Sequence, residues 1–246
     1  MRARTVALPV TVLAALAAAA CGGSTPTASA PKPTTTVAVA TVPPTTATAP
    51  TPAAPRPKPK PKPRRRPKPN PGLLPQTEQL PSAGTAAFHA EMAALWDGVR
   101  KDSVAAALPA FFPEAAYAQL KRIGDPQGDW ADRLVEDYRL DLAAAHQLLG
   151  GNGAGARLVQ VEVPASYAHW VSPGACYNGV GYYEVPNARV VYRQHGVLRS
   201  FGIASMISWR GVWYVVHLGS VLRSSAIGLV DDPSSGTGES APSSTC

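Results

Sequence analysis

The first third of the chain is too rich in proline and too poor in apolar side chains to fold. Residues 21–76 consist mostly of Pro, Thr, Ala, Lys and Arg. Such a segment cannot bury enough apolar surface to offset the conformational entropy that is lost on ordering. We therefore expect a disordered linker over residues 21–76, one folded domain over residues 77–231 and a flexible tail over residues 232–246.

The distribution of charge divides the chain at the same place. The whole sequence has a formal net charge of +7, yet residues 1–77 contain 11 of the 23 basic residues and no acidic residue. The remaining part contains 12 basic and 16 acidic residues, a net charge of −4. Because a nucleic-acid-binding domain carries its basic surface on the folded part, no nucleic-acid partner is expected.

The N-terminus has the features of a secretory signal. Arg2 and Arg4 precede an uncharged apolar stretch over residues 6–20, which is shorter than the roughly 20 residues of a transmembrane helix. The residues from Ala18 to Cys21 resemble the lipobox of bacterial lipoproteins, although Ala18 stands where that family usually has Leu. The resemblance implies that residues 1–20 are removed and that Cys21 is acylated and holds the protein at the outer side of the cell membrane. Plain secretion is the alternative.

The second half of the linker is basic and alternates with proline from Arg56 to Lys68. Residues before proline favour extended geometry, so this half is expected to be a semi-rigid polyproline II rod of about 3.1 Å per residue. Its charges could bind anionic envelope polymers or lipid head groups, at about 1 kcal/mol for each basic residue. The alternative is a spacer whose charges keep it extended and soluble.

The first half of the foldable part has helical periodicity. In residues 85–101, apolar side chains recur at spacings of three and four. These residues are Phe88, Met92, Leu95, Trp96 and Val99. Pro113 suits the first turn of a second helix. A third helix is expected after a break at residues 124–128, with Asp129 as its N-cap and Gly150 as its end.

The second half has the alternation of strands. In residues 157–163 we expect Val159, Val161 and Val163 on one face, opposite Gln160 and Glu162. Four further strands are predicted, at residues 180–185, 188–194, 197–209 and 212–219. Their short connections favour antiparallel pairing in chain order. The sequence therefore predicts an α+β fold with N-terminal helices packed on a twisted antiparallel sheet.

The order of these elements resembles that of NTF2-like domains. From Leu95 to Leu120 a helix leads through Phe111-Phe112-Pro113 into a second helix, and the stretch from Trp209 to Leu218 is similar to the final strands of that family. The resemblance implies a concave sheet that wraps a helix to form a cone, with a ligand site at its open end. The whole chain also resembles secreted or lipid-anchored actinobacterial proteins that have no assigned activity.

No motif in the sequence identifies a reaction. There is no His or Cys cluster at metal-ligand spacing, no nucleophile elbow, no P-loop and no dinucleotide fingerprint, so no metal and no cofactor is predicted. NTF2-like enzymes place an Asp, His or Tyr in the cavity as a general base, and the candidates here are His217, His146 and Tyr138. A hydrogen-bonded structural role is the alternative for each histidine, and Tyr138 also suits the apolar stripe of the third helix.

Aromatic side chains crowd an irregular segment around Cys176. Trp170, Tyr177 and Tyr182 are candidates for a platform on which sugars or a peptide could stack. The alternative is a loop that packs its own aromatic side chains onto the sheet.

Asp137 and Asp141 lie four residues apart and would share one helix face. Paired carboxylates of this kind can perform acid–base chemistry. Because Arg133, Glu136 and Arg139 surround them, we expect a solvated charged face instead.

The cysteine count predicts one disulfide. Once Cys21 is acylated, Cys176 and Cys246 remain, which is an even number in an oxidising compartment. We predict that these two are paired, with two free thiols as the alternative.

Two functions from different classes follow. The first is a lipid-anchored cell-envelope protein whose domain binds a ligand or partner without catalysis. The second is a cavity-based NTF2-like enzyme that acts on a small molecule or a cell-wall fragment by acid–base chemistry. Buried ionisable groups that converge in the cavity favour the enzyme, and a filled apolar interior favours binding or scaffolding.

Overall fold

A computed structural model describes residues 70–151, 153–220, 222–223 and 226–240. In this part, short helices are followed by a six-stranded antiparallel sheet, which confirms the α+β class. The predicted signal, residues 21–69 of the predicted linker, and Cys246 lie outside the described residues.

The helices precede the sheet in the chain. They are α1 (Ala86–Lys101), α2 (Val104–Ala107), α3 (Glu114–Leu120), α4 (Pro126–Asp129) and α5 (Val135–Leu148), the last two joined by a π-helical turn over Trp130–Leu134. The Thr85 hydroxyl accepts a hydrogen bond from the Phe88 amide at 3.1 Å and so caps α1. All five apolar residues that were predicted to form the stripe of α1 are buried.

The third predicted helix begins earlier than expected. Its N-cap is Asp125, whose carboxylate accepts a hydrogen bond from the Gly128 amide at 2.8 Å, and Pro126 occupies the first helical position. The prediction of Asp129 as the cap is therefore wrong. Proline at the first turn costs no hydrogen bond, because the first amides of a helix have no partner within it. Asp129 is left with its side chain available for Arg133 and Tyr117.

The sheet is built around two long strands. Its members are β1 (Arg157–Glu162), β2 (His169–Val171), β3 (Tyr182–Gln194), β4 (Val197–Trp209), β5 (Val212–His217) and β6 (Asp231–Ser235). The main order is β1-β3-β4-β5, with β2 also paired to β3 and β6 also paired to β4. Every strand pair is antiparallel.

Two details of the predicted strands are different in the structure. The segments expected at residues 180–185 and 188–194 form the single strand β3, because pairing with β4 keeps one register on both sides of Asn187 despite its positive φ of 53°. In β1 the register shifts between Leu158 and Gln160, and Val159 is 49% exposed. This irregularity turns Val159 away from the buried face, which the alternation alone could not reveal.

Both ends of the domain extend beyond the predicted bounds. The Trp209 indole donates to the Pro71 carbonyl at 3.0 Å, and the Gln76 amide donates to the Ser208 carbonyl at 2.9 Å. At the other end, Asp231–Ser235 forms β6, where a flexible tail was expected from residue 232. The side chains of that segment have little apolar surface, so its order comes from backbone pairing with the edge of β4 and from the Arg189 guanidinium, which donates to Asp232.

One apolar core lies between the helices and the sheet. Trp96 of α1 contacts Tyr192 of β3 with ring centroids 5.3 Å apart, and Phe111 stacks on Tyr138 of α5 at 4.4 Å. Each buried side chain of this size contributes about 1.5–3 kcal/mol by leaving water. The core therefore fixes the helices against one face of the sheet and leaves a cavity at one end of that face.

Candidate functional site

A cavity of about 260 Å³ lies between the sheet, α3 and the turn before α5. Ligand pockets in proteins are usually about 300–1,000 Å³, so this cavity suits a small molecule. Its walls combine apolar side chains with several ionisable ones. The lining residues used below are Lys121, Arg133, Tyr182, Glu184, Ser205 and His217.

A β-bulge places His217 on the wall of the cavity. Along the pairing of β4 with β5, Met206 faces Val215 but Ser205 faces His217, so Val216 is an extra residue in β5. Directly paired residues point to the same face of a sheet. Without the bulge Val216 would face Ser205, and His217 would point to the other face.

Glu184 is a buried carboxyl on β3 that shares the cavity wall with Ser205. Only 2% of Glu184 is exposed, and its Oε1 accepts a hydrogen bond from the Ser205 hydroxyl at 3.2 Å. Its other oxygen, Oε2, is buried without a hydrogen-bond partner and lies 3.8 Å from His169 Nε2. Burial raises the pKa of Glu184, and the Ser205 hydrogen bond and the charges of His169 and Lys121 oppose this only in part.

His217 is buried as well, with 5% of its surface exposed and Nδ1 without a partner. Burial, together with the smaller effects of the cationic side chains of Arg223, Arg133 and Lys121, lowers the pKa of His217 to about 4. The ring is therefore neutral at neutral pH, and it offers one nitrogen as a donor and one as an acceptor.

Charged side chains surround the mouth of the cavity. Arg133 donates from Nε and from a terminal nitrogen to the two Asp129 oxygens, at 2.7 and 2.6 Å, and Tyr117 donates to the same carboxylate. These contacts hold the pKa of Asp129 below its usual value. Lys121 Nζ donates to the Cys176 carbonyl at 3.0 Å. A half-buried lysine and an arginine therefore stand at the entrance.

Two of the three predicted acid–base candidates lie outside this cavity. The ring nitrogens of His146 are 2.9 Å from the Val99 carbonyl and 2.7 Å from the Gly151 carbonyl. His146 thus ties the end of α1 to the turn after α5. Tyr138 is fully buried, stacks on Phe111 and donates toward the Ala107 carbonyl at 3.4 Å. Of the candidates, the structure brings only His217 into the cavity.

The three aromatic candidates do not form one platform. Tyr182 lines the cavity, and burial raises its pKa to about 12. The Trp170 ring packs edge-on against Tyr183 at 5.0 Å and covers Gly181 so closely that no Cβ atom would fit there. Tyr177 is 76% exposed. Trp170 therefore packs on the sheet, as the alternative interpretation of this segment expected.

The solvated face predicted for Asp137 and Asp141 is wrong for Asp141. That residue has no exposed surface and accepts hydrogen bonds from the Gly219 and Leu229 amides at 3.1 and 2.9 Å. Arg223 donates to both of its oxygens, at 2.9 and 3.1 Å. Asp141 thus holds the segment that follows β5 against α5. Asp137 lies 3.8 Å from the Arg223 guanidinium.

Sequence reasoning missed Glu184, Ser205 and Lys121. Glu184 had one signal, because a carboxylate between Tyr183 and Val185 interrupts an otherwise apolar strand. Ser205 and Lys121 had none, since a serine in a strand and a lysine after a helix are both common on surfaces. Their roles depend on contacts with residues far away in the chain.

The cysteine predictions remain predictions. Cys21 and Cys246 lie outside the described residues, so neither the acylation of Cys21 nor the pairing of Cys176 with Cys246 is described. Cys176 itself belongs to the rim of the cavity.

No family model, no curated protein and no solved structure matches the chain.

Within residues 70–240, apart from the few that are not described, no helix is long and apolar enough to span a membrane. The same part contains no group of three or more His, Cys, Asp or Glu side chains that could hold a metal ion.

Proposed function

We propose that this chain is a cell-envelope protein, held at the membrane by a lipid on Cys21, whose domain binds a small polar molecule in the cavity beside β4. The anchor is supported by the lipobox-like residues before Cys21. The linker sets the distance of the domain from the membrane, and its basic half from Arg56 to Lys68 binds anionic envelope polymers or lipids. An NTF2-like cone is the arrangement that we propose for the domain.

The observation that carries the binding function is a pair of buried polar atoms without partners. Glu184 Oε2 and His217 Nδ1 belong to residues on the wall of the same cavity, and neither makes a hydrogen bond. A buried polar group without a partner costs about 1–3 kcal/mol, and native proteins rarely tolerate two in one place. A bound molecule with a donor and an acceptor would satisfy these groups or the polar atoms beside them.

Binding is favoured over catalysis because of the protonation of His217. A general base works best when its pKa is near the working pH, whereas burial lowers the pKa of His217 to about 4. One observation favours the second candidate function, an acid–base enzyme. Glu184 is a carboxyl with a raised pKa, fixed by Ser205 in the same cavity. In that enzyme Glu184, rather than His146 or Tyr138, would be the acid or base.

A ligand screen with an NMR readout tests the binding function. The full chain is screened against a library of small polar molecules by thermal shift, because a ligand at 100 times its Kd stabilises the native state by about 2.7 kcal/mol. Hits are then followed through the ring signals of the five histidines. We expect the His217 signal to move on binding, while the signal of the exposed His89 stays in place.

Variants at two glutamates locate the bound molecule. Glu184→Gln keeps the shape of the side chain and is expected to weaken binding by about tenfold or more. Glu162→Gln, at an exposed position of β1, is the control and should bind as the wild type does. Hits that move no His217 signal, or that bind Glu184→Gln unchanged, would place the binding site elsewhere. Turnover of a hit that is lost in Glu184→Gln would favour the enzyme.

A further inference from the structure

The cations at the mouth of the cavity differ in how they are neutralised. Arg133 is matched by the Asp129 carboxylate, which receives two of its hydrogen bonds. Arg223, whose charge also acts on His217, is likewise matched by Asp141. Both guanidinium groups therefore have a carboxylate partner in direct contact.

Lys121 lacks such a partner. The ion pairs of this region join Arg133 to Asp129 and His169 to Glu184, and among the described residues none includes Lys121. Its ammonium has the neutral Cys176 carbonyl as its hydrogen-bond acceptor. Burial, followed by the charge of Arg133, lowers the pKa of Lys121, and the charges of Asp129 and Glu184 oppose this only in part.

The carboxyl that shares the cavity with Lys121 does not supply the missing charge. Glu184 is buried and its pKa is raised, so ionisation is disfavoured there too. Asp129 and Glu184 act on Lys121 only without direct contact, so an anion in contact with the ammonium would come from outside the protein. An anion at the mouth would neutralise Lys121 and would also meet the guanidinium of Arg133.

We propose that the small molecule bound by this cavity carries one anionic group, a carboxylate or a phosphate monoester, which lies against Lys121 and Arg133 at the mouth. The proposal rests on the binding function proposed above. The body of the ligand contacts the apolar wall formed by Leu120, Leu134 and Ile207. The anionic group lies at the mouth and away from Glu184, because the cations that neutralise it are at the mouth and the buried interior disfavours charge.

The test uses sets of probes with the same or a similar hydrocarbon group, whose polar groups differ in charge. The carboxylate arm contains butyrate, hexanoate, benzoate and phenylacetate, and the neutral arm contains the matching primary amides. A cationic arm contains butylamine, hexylamine and benzylamine. Butyl phosphate and phenyl phosphate separate a phosphate ligand from a carboxylate. Each probe is added to the full chain at constant ionic strength, and both the melting temperature and the His217 ring signal are recorded.

Two lysine variants make the assignment specific. At least one anionic probe should bind the wild type about tenfold or more tightly than its amide, because a charge-assisted hydrogen bond is roughly twice as strong as a neutral one. Lys121→Met keeps the length of the side chain and should remove this preference while amide binding persists. Lys101→Met, at an exposed lysine paired with Asp97, should leave the preference unchanged.

The outcomes separate this proposal from the binding function. If amides or amines move the His217 signal at least as strongly as the anions do, the ligand class is wrong and the binding function stands. If Lys121→Met retains the anion preference, the assignment to the mouth is overturned. If no probe of any charge moves His217 or raises the melting temperature, the cavity does not accept small molecules and both proposals fail.

Discussion

Arg223 and Asp141 form a buried, bidentate ion pair that joins the segment after β5 to helix α5. The guanidinium donates at 2.9 and 3.1 Å, and the Asp141 side chain has no exposed surface while that of Arg223 is 8% exposed. The same carboxylate accepts the Gly219 and Leu229 amides. This one group therefore fixes the chain that leaves β5 next to the bulge carrying His217.

Removing one member of this pair should lower the free energy of unfolding of the domain. Asp141→Asn leaves the buried guanidinium with only the more distant Asp137 carboxylate as a counter-charge, so we expect a loss of about 3 kcal/mol in the free energy of unfolding. The measurement is urea denaturation at pH 7. Asp137→Asn is the control, because Asp137 lies 3.8 Å from Arg223 and is partly exposed, and it should cost less than about 1 kcal/mol. Equal losses for the two variants would contradict this role of Asp141.

The buried His217 predicts a loss of stability in acid. Its pKa is about 4 in the folded protein and 6.5 in the unfolded chain, so the unfolded state binds more protons between these values. The contribution of His217 to the free energy of unfolding is complete above pH 6.5. It falls by about 3 kcal/mol as the pH decreases from 6.5 to 4. His217→Gln should lack this part of the pH dependence, measured as the free energy of unfolding at pH 7 and pH 4.5. His89→Gln, at an exposed histidine, should retain it.

Glu91 of α1 predicts a pH dependence of the opposite sign. Its Oε2 is buried without a partner in a groove beside Tyr214, and burial raises its pKa from 4.5 to about 8. The folded state therefore binds more protons, and stability decreases as the pH rises from 4.5 to 8. Glu91→Gln should be stabilised relative to the wild type at pH 8, and less so or not at all at pH 5. Glu114→Gln, at an exposed carboxylate of the same groove, is the control and should change little at either pH.

The proposed anchor predicts where the protein is found in cells. A Cys21→Ser variant cannot be acylated, so it should leave the membrane fraction for the medium, which immunoblotting of cell fractions would detect. The membranes are washed with high salt first, since the basic residues from Arg56 to Lys68 could hold the protein on an anionic surface and salt screens such contacts. A variant that stays with the washed membranes would show that the lipid anchor is wrong or redundant.

Local sequence determined the helices and the fold class. The apolar spacing from Phe88 to Val99 predicted the buried stripe of α1, because this pattern depends on residues within a few positions of each other. The alternation and the short connections of the later strands predicted an antiparallel sheet after the helices. The signal at the N-terminus and the proline-rich linker stay predictions from composition, because residues 1–69 lie outside the described part of the chain.

The cavity and the environment of its charged side chains depend on the tertiary structure and could not be predicted from local sequence. Asp141 was expected in solvent because its neighbours in sequence are charged, yet its partner Arg223 lies 82 residues away. A one-residue bulge at Val216 turned His217 toward Ser205, and no local pattern marks where a bulge occurs. Glu184 and Lys121 likewise acquired their roles from the strands and turns folded beside them. Burial and partners across long stretches of chain set the chemistry of a side chain, and these become fixed only when the core is packed.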